Sequence, residues 1–143
     1  MKTVKHILQS KPTEVHAVTR DISVLEALKI MMEKNISALL VIEDEKLHGI
    51  FTERDYARKV VLHGKSSKDT AVMDVMTANP HIITEDESIE NCMRLMTINH
   101  FRHLPVVQDG KVKGMLSIGD LVKCIIEDQQ QTIDHLQSYI NSY

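Results

Sequence analysis

The amino-acid sequence predicts an α+β fold: two β-α-β-β-α units packed pseudo-symmetrically, with a short N-terminal lead-in and a C-terminal helix. Three observations carry that expectation. A shift of 65 positions, which moves Val18 onto Ile83, lays "VTRDISVLEALKIMMEKNISALLVIEDEKLHGIFTERDY" on "ITEDESIENCMRLMTINHFRHLPVVQDGKVKGMLSIGDL" without a gap. Thr19 falls on Thr84, Asp21 on Asp86, Ser23 on Ser88, Met31 on Met96, Gly49 on Gly114 and Asp55 on Asp120. Each copy has one segment of helical apolar spacing, then two short apolar runs around a tight polar turn. A unit this small leaves one apolar face bare on its own, so the copies must cover each other.

The elements follow in order. The first eleven residues form a short lead-in helix, and "VHAV" and "HIIT" open the two copies as strands. Ser23 to Lys34 places Val24, Ala27, Leu28 and Met31 on one helical face, with Ser23 and Glu26 as a capping box. "SALLVI" and "RHLPVV" are continuous apolar runs rich in β-branched residues, which suits strands buried on both faces. "EDEK" and "QDGK" turn them into hairpins with "LHGIF" and "VKGML". A second helix starts after Thr52 and after Ser117. Residues 62 to 72 are polar and small and read as a linker. The first repeat, with lead-in and linker, then spans residues 1 to 72, and the second, with the C-terminal helix, spans 73 to 143. The tail carries Ile133, Leu136 and Ile140 at helical spacing and either covers its own core or docks a partner. Most of the eight methionines, such as Met31, Met93 and Met96, fall at helical spacing and read as core or dimer packing.

Composition narrows the function. With 43% hydrophobic and 26% charged residues, the 143-residue chain has a globular composition. A net charge of -3 argues against a general nucleic-acid coat, and 3% aromatic residues leave few stacking platforms for single strands. No apolar run is long enough to cross a bilayer, and the N-terminus has no signal-peptide core, so no membrane role is expected. Cys92 and Cys124 stand apart, without ligand spacing to histidine. They read as buried, reduced thiols of a cytoplasmic protein with no metal site. Phosphate-loop, zinc-hydrolase and nucleophile-elbow motifs are missing, and Asp55 and Asp120 sit in separate repeats rather than as an acid–base pair. Nothing indicates an enzyme or a catalytic residue.

The chemistry-bearing motif is Thr52-Glu53-Arg54-Asp55, repeated as Ser117-Ile118-Gly119-Asp120. A helix start offers unpaired N–H groups to phosphate, and a carboxylate suits the two neighbouring hydroxyls of a ribose. The same pattern is a helix-capping signature, and the two readings do not exclude each other. Its recurrence after an apolar-Gly-apolar-apolar strand in both copies favours binding. Arg54 and Arg58 share a helical face near Lys59, Lys65 and Lys68, fitted either to phosphate or to solvent. Gly119 within a first helical turn costs roughly 1 kcal/mol against alanine, explained by a close ligand or by tight packing.

These residues resemble a tandem pair of CBS domains, a Bateman module. The likeness rests on the endings "HGIFTERD" and "KGMLSIGD" and the "LPVV" strand, and it spans about residues 4 to 140. The block "TERDYARKVVLHGKSSKDTAVMDVMT" is similar to small stand-alone CBS-pair proteins of bacteria and plant organelles. The resemblance implies a nucleotide-sensing regulatory module that dimerises into a flat disc and holds adenosine-containing ligands in clefts between the repeats. It implies AMP or a related ligand (ADP, ATP, NAD or S-adenosylmethionine), with AMP and NAD in different clefts as one option. It also implies a homodimer whose output passes to a partner protein in trans. The residues it marks are Thr52, Arg54, Asp55 and Arg58 in the first copy and Ser117, Gly119 and Asp120 in the second. Residues entering the central strands join them: Arg102, His103 and Pro105, against Ser37 and Ala38. Because Arg102 and His103 have only Ser37 and Ala38 as counterparts, the two clefts should differ. His16 and His81, related by the same shift, stand either beside the base or outward on their strands, and the outward position is preferred. The competing class is a dimerisation scaffold without ligand.

Overall fold

The computed structural model describes residues 2–11 and 15–141. Its framework is the two predicted hairpins. β2 (Ala38–Glu43) runs antiparallel to β3 (Lys46–Thr52), pairing Ala38 with Thr52 and Leu40 with Ile50. β5 (His103–Gln108) and β6 (Lys111–Ser117) repeat that register, pairing His103 with Ser117 and Pro105 with Met115. Both hairpins reverse through left-handed residues, Asp44 and Glu45 in one and Asp109 and Gly110 in the other. That backbone matches strand twist, and glycine adopts it at least cost. Ala38, Leu39, Leu40 and Val41 are fully buried, as strands covered on both faces require.

Around the hairpins the helices start where their caps allow. In α2 (Val24–Lys34) the Ser23 hydroxyl accepts from the Glu26 amide at 3.1 Å. Only that half of the expected capping box forms, because the Glu26 carboxylate turns to Lys29 at 3.7 Å. In α5 (Ile89–Asn99) the Ser88 hydroxyl accepts from the Asn91 amide in the same way. Asn35 and His100 end these helices in left-handed conformations.

Several expectations need correction. "VHAV" shortens to β1 (Ala17–Val18), parallel to β2, and "HIIT" forms only a single parallel bridge, Ile83 to Val106. Ile83 is buried while Ile82 is half-exposed, so this segment has one inward anchor, too little for a strand. The helix after Thr52 is one turn, α3 (Glu53–Asp55), widening into a π-helical stretch Tyr56–Val61 in which the Leu62 amide reaches back to the Ala57 carbonyl. After Ser117, one continuous helix α6 (Ile118–Asn141) absorbs the tail. Every residue from 129 to 141 is exposed, so the tail does not cover its own core.

The short lead-ins cross over. α1 (Val4–Ser10) precedes the first repeat, yet Val4 and Ile7 fill the core of the second with Ile83, Met96, Leu104 and Leu121. α4 (Val72–Val75) precedes the second repeat, yet Val72 and Val75 close the core of the first with Val24, Met31, Phe51 and Val60. β4 (Thr77–Ala78) then pairs antiparallel with β3. A third cluster of Ala38, Leu40 and Ile50 packs with Val112 and Met115, holding the hairpins face to face. The repeats are thereby locked to each other, and the space beside each hairpin is walled by both of them. The Cys92 and Cys124 thiols are buried, and burial pushes Cys92 up to about 11, which keeps it an unreactive thiol at neutral pH.

Candidate functional site: two unlike clefts between the repeats

The first cleft gathers around Asp55, the buried charged residue among those described. Thr52 ends β3 in extended conformation, so its amide and hydroxyl both point at Asp55 Oδ2, at 3.0 and 3.2 Å. The Asp55 amide donates back to the Thr52 hydroxyl at 3.2 Å, completing the cap. The other carboxylate oxygen accepts from the Thr77 hydroxyl at 3.0 Å and the Lys59 ammonium at 3.0 Å. Thr77 reaches it only because β4 adds to β3, and Gly49 permits that approach. A Cβ on Gly49 would meet the Met76 sulfur at 2.6 Å and the Thr77 carbonyl at 2.8 Å.

Across from Asp55 stands the α5–β5 turn of the other repeat. A trough of about 1330 Å³ opens between them, lined by Arg54, Arg58, Lys59, His81, His100 and Arg102 among others. Arg54 donates to the His100 carbonyl at 2.8 Å, which pins its guanidinium across the trough. Among the described residues, the Arg58 and Arg102 side chains have no hydrogen bond or ion pair. Only Glu53 and Asp55 oppose these cations in the lining. Positive charge, two uncommitted guanidinium forks and a hydrogen-bonded carboxylate make a receptor for a ligand with both hydroxyls and phosphate.

The second cleft, about 480 Å³, surrounds Asp120 and is walled by Leu8, Val15, Ile36, Leu40 and Met115. The Ser117 amide donates to Asp120 Oδ2 at 2.9 Å, and the Asp120 amide to the Ser117 hydroxyl at 3.1 Å. Here the cation comes from the lead-in: Lys11 donates to the same Asp120 oxygen at 2.8 Å and to the Met115 carbonyl at 2.8 Å. Burial works to raise the Asp120 carboxyl, but Lys11 and the Ser117 amide together outweigh it and hold it below the usual aspartate value. His103, burial-depressed and so neutral at pH 7, bonds the Ser37 hydroxyl at 3.2 Å and lines both clefts. With an apolar wall, Lys11 tied to Asp120 and Lys113 as its other lysine, this cleft suits a less charged ligand portion than the first does.

The residues singled out from sequence distribute in a way the repeat alone does not reveal. Each cleft takes its acid from one copy and its strand entry from the other. Arg102 lines the Asp55 trough and Ala38 the Asp120 cleft, while Ser37 and His103 line both. Arg102 and Ala38 thus separate the two clefts, whereas Ser37 and His103 are shared between them. His16 and His81 line the Asp120 and Asp55 clefts respectively, and the His81 ring lies 6.3 Å from that of Phe101. Pro105 is buried in β5 and lines neither cavity, although its carbonyl accepts from the Ile83 amide. At Gly119 an added Cβ would meet only the Ser117 hydroxyl, at 3.6 Å, so packing within the chain does not demand glycine there.

Lys11 and Thr77 are cleft residues that the 65-residue repeat does not reach, while Lys113 lies within it opposite His48. A signal for two of them exists: a shift of 68 lays "VKHILQSKP" on "VMDVMTANP", with Lys11 on Asn79 and Thr77 on Gln9. Among the described residues no group of three or more His, Cys, Asp or Glu is placed to hold a metal ion, and no helix is long and apolar enough to cross a membrane.

Two repeats, exchanged lead-ins and a paired-cleft interface define a CBS-domain tandem. A model of the CBS domain matches residues 4–62 and 72–127, and the chain belongs to the CBS-domain family. It is 37% identical over 147 residues to the CBS domain-containing protein CBSX3, mitochondrial, of Arabidopsis thaliana, covering 96% of this chain and 71% of that protein. Among solved structures, a protein with CBS domains from Burkholderia ambifaria MC40-6 superposes with a TM-score of 0.86 at 49% identity, over 90% of this chain and 96% of that one. CBSX2 in complex with AMP gives a TM-score of 0.76 at 29% identity, over 90% and 99%. The CBS domain pair of MJ0100 with 5'-methylthioadenosine and S-adenosyl-L-methionine gives 0.78 at 30% identity, over 90% and 98%.

Proposed function

We propose that the protein is a regulatory module that binds AMP, or a related adenosyl ligand such as ADP, ATP or NAD, between its two repeats and signals to a partner protein in trans. One observation carries the reading: Arg54, Arg58, Lys59 and Arg102, drawn from both repeats, converge on the trough that holds Asp55. Similarity to CBS-pair structures solved with AMP and with S-adenosylmethionine supports an adenosyl ligand. In this reading Asp55 exchanges the Thr77 hydroxyl and the Lys59 ammonium for the two ribose hydroxyls. Lys59 then turns to the phosphate beside Arg58 and Arg102. Because the ligand touches both repeats, it favours one relative placement of them, and a partner reads that placement.

The test is a thermal-melt panel of AMP, ATP, NAD and S-adenosylmethionine on nucleotide-free protein. A ligand at about 100 times its dissociation constant adds about 2.7 kcal/mol, a melting shift of several degrees for a domain of this size. A shift with at least one of the four is expected. Unchanged melting with all four contradicts the reading and leaves Thr52 and Asp55 as a helix cap in a scaffold.

A further inference from the structure

The two clefts share a wall. Ser37 and His103 line both of them, and the Ser37 hydroxyl lies 3.2 Å from His103 Nε2. Each residue stands where its hairpin meets a motif, since Ala38 pairs with Thr52 and His103 with Ser117. The backbone then ties each strand entry to the helix start of its own copy. The Glu53 amide donates to the Ser37 carbonyl at 3.1 Å, and the Ile118 amide donates to the Arg102 carbonyl at 2.9 Å. A continuous path therefore leads from Asp55 and Thr52 through Glu53, Ser37, His103, Arg102 and Ile118 to Ser117 and Asp120.

The repeat makes this link once. Its mate under the 65-position shift would join Arg102 to Ala38, and alanine has no polar side-chain atom to offer. One bond serves both clefts, and it can run in either direction. Burial keeps His103 neutral at pH 7. A neutral imidazole has one N–H and one bare nitrogen, and a hydroxyl both donates and accepts. With the ring proton on Nε2, His103 donates to Ser37, whose own proton is left for a group in a cleft. With the ring proton on Nδ1, the hydroxyl donates to Nε2 and only its lone pairs are left. A ligand that exchanges a hydrogen bond with the ring or the hydroxyl on one side selects the arrangement met on the other. Two discrete states biased from two sites are what energetic coupling requires.

We propose that the Ser37–His103 hydrogen bond couples the two clefts, so that a ligand seated against Asp55 resets what the Asp120 cleft offers, and the reverse. The test reads backbone amide resonances of the isotope-labelled full chain in two arms. The first arm, saturation with AMP, rests on the nucleotide reading above; the second, Asp55→Asn without ligand, does not. In each arm the Ser117 and Asp120 amides are expected to shift along with those of Thr52 and residue 55. In a Ser37→Ala background the shifts at Ser117 and Asp120 should shrink about threefold or more, and Ser37→Thr, which keeps a hydroxyl, should restore them. AMP that moves no resonance at Thr52 or Asp55 sinks the nucleotide reading but leaves the coupling standing if the Asp55→Asn arm behaves as stated. Silence at Ser117 and Asp120 in the Asp55→Asn arm overturns the coupling. So do shifts there that Ser37→Ala leaves unchanged, which would mean a path outside this bond or direct occupancy of the second cleft.

Discussion

The two clefts start from one motif and end as different receptors. Asp55 accepts four hydrogen bonds from Thr52, Thr77 and Lys59, and faces a trough lined by arginines. Asp120 accepts from Ser117 and from Lys11, which crosses the smaller, apolar-walled cleft to reach it. The cap is common to both, so the cap alone does not specify a ligand. The lining contributed by the opposite repeat does, and there Arg102 lines the Asp55 trough where Ala38 lines the Asp120 cleft. Repetition built the scaffold, and divergence of the facing segment set the chemistry.

The largest effect that separates the clefts is on affinity. Asp55→Asn keeps the shape but removes the charged acceptor, and is expected to weaken AMP binding about 100-fold, as loss of a buried charge-assisted bond does. Asp120→Asn should change it less than about threefold; calorimetry on both variants measures the contrast.

Next comes stability at the equivalent glycines. Gly49→Ala drives a methyl into the Thr77 backbone at 2.8 Å, whereas Gly114→Ala meets only the tip of Leu8 at 3.0 Å. The first is expected to cost about 2 kcal/mol and the second less than about 1 kcal/mol in denaturant titration. Equal costs would mean that β4 does not sit where it reaches Asp55.

Arg102→Ala should weaken AMP by about tenfold and flatten its salt dependence, while Lys113→Ala in the other cleft leaves both nearly unchanged. The smallest effect is acid-dependent. Lys11 helps hold the folded Asp120 carboxyl below its ordinary value of 3.8, so their pair stabilises the fold above that value and fades as pH falls through the lower folded value. Lys11→Met should therefore melt lower than the native chain near neutrality by less than about 1 kcal/mol, the pair being partly exposed. The gap should close as pH drops from about 5 to about 2. A gap that widens in acid would place Lys11 elsewhere.

Much of this comparison was legible in the sequence. The shift that lays Gly49 on Gly114 and Asp55 on Asp120 also marks both hairpins, their turns at Asp44 and Asp109, and both caps, because these depend on residues within one copy. The crossing of α1 and α4 was not legible from it. Their apolar residues align at a different shift, and which core Val4 or Val72 enters is decided by tertiary packing rather than by local pattern. That crossing puts Lys11 and Thr77 in the clefts, where the 65-residue repeat alone does not place them. "HIIT" looked like a strand because its composition suits one, but Ile82 had no apolar surface to cover it. The uninterrupted run from Ile118 to Asn141 contains no breaker after Gly119, and its single-helix character was there to be read.

The central claim is that nucleotide occupies the arginine-lined cleft, and co-crystallisation with AMP tests it most directly. The account predicts difference density with the ribose hydroxyls on Asp55 and the phosphate between Arg58 and Arg102. AMP found only beside Asp120, with the Asp55 trough unliganded, would contradict it.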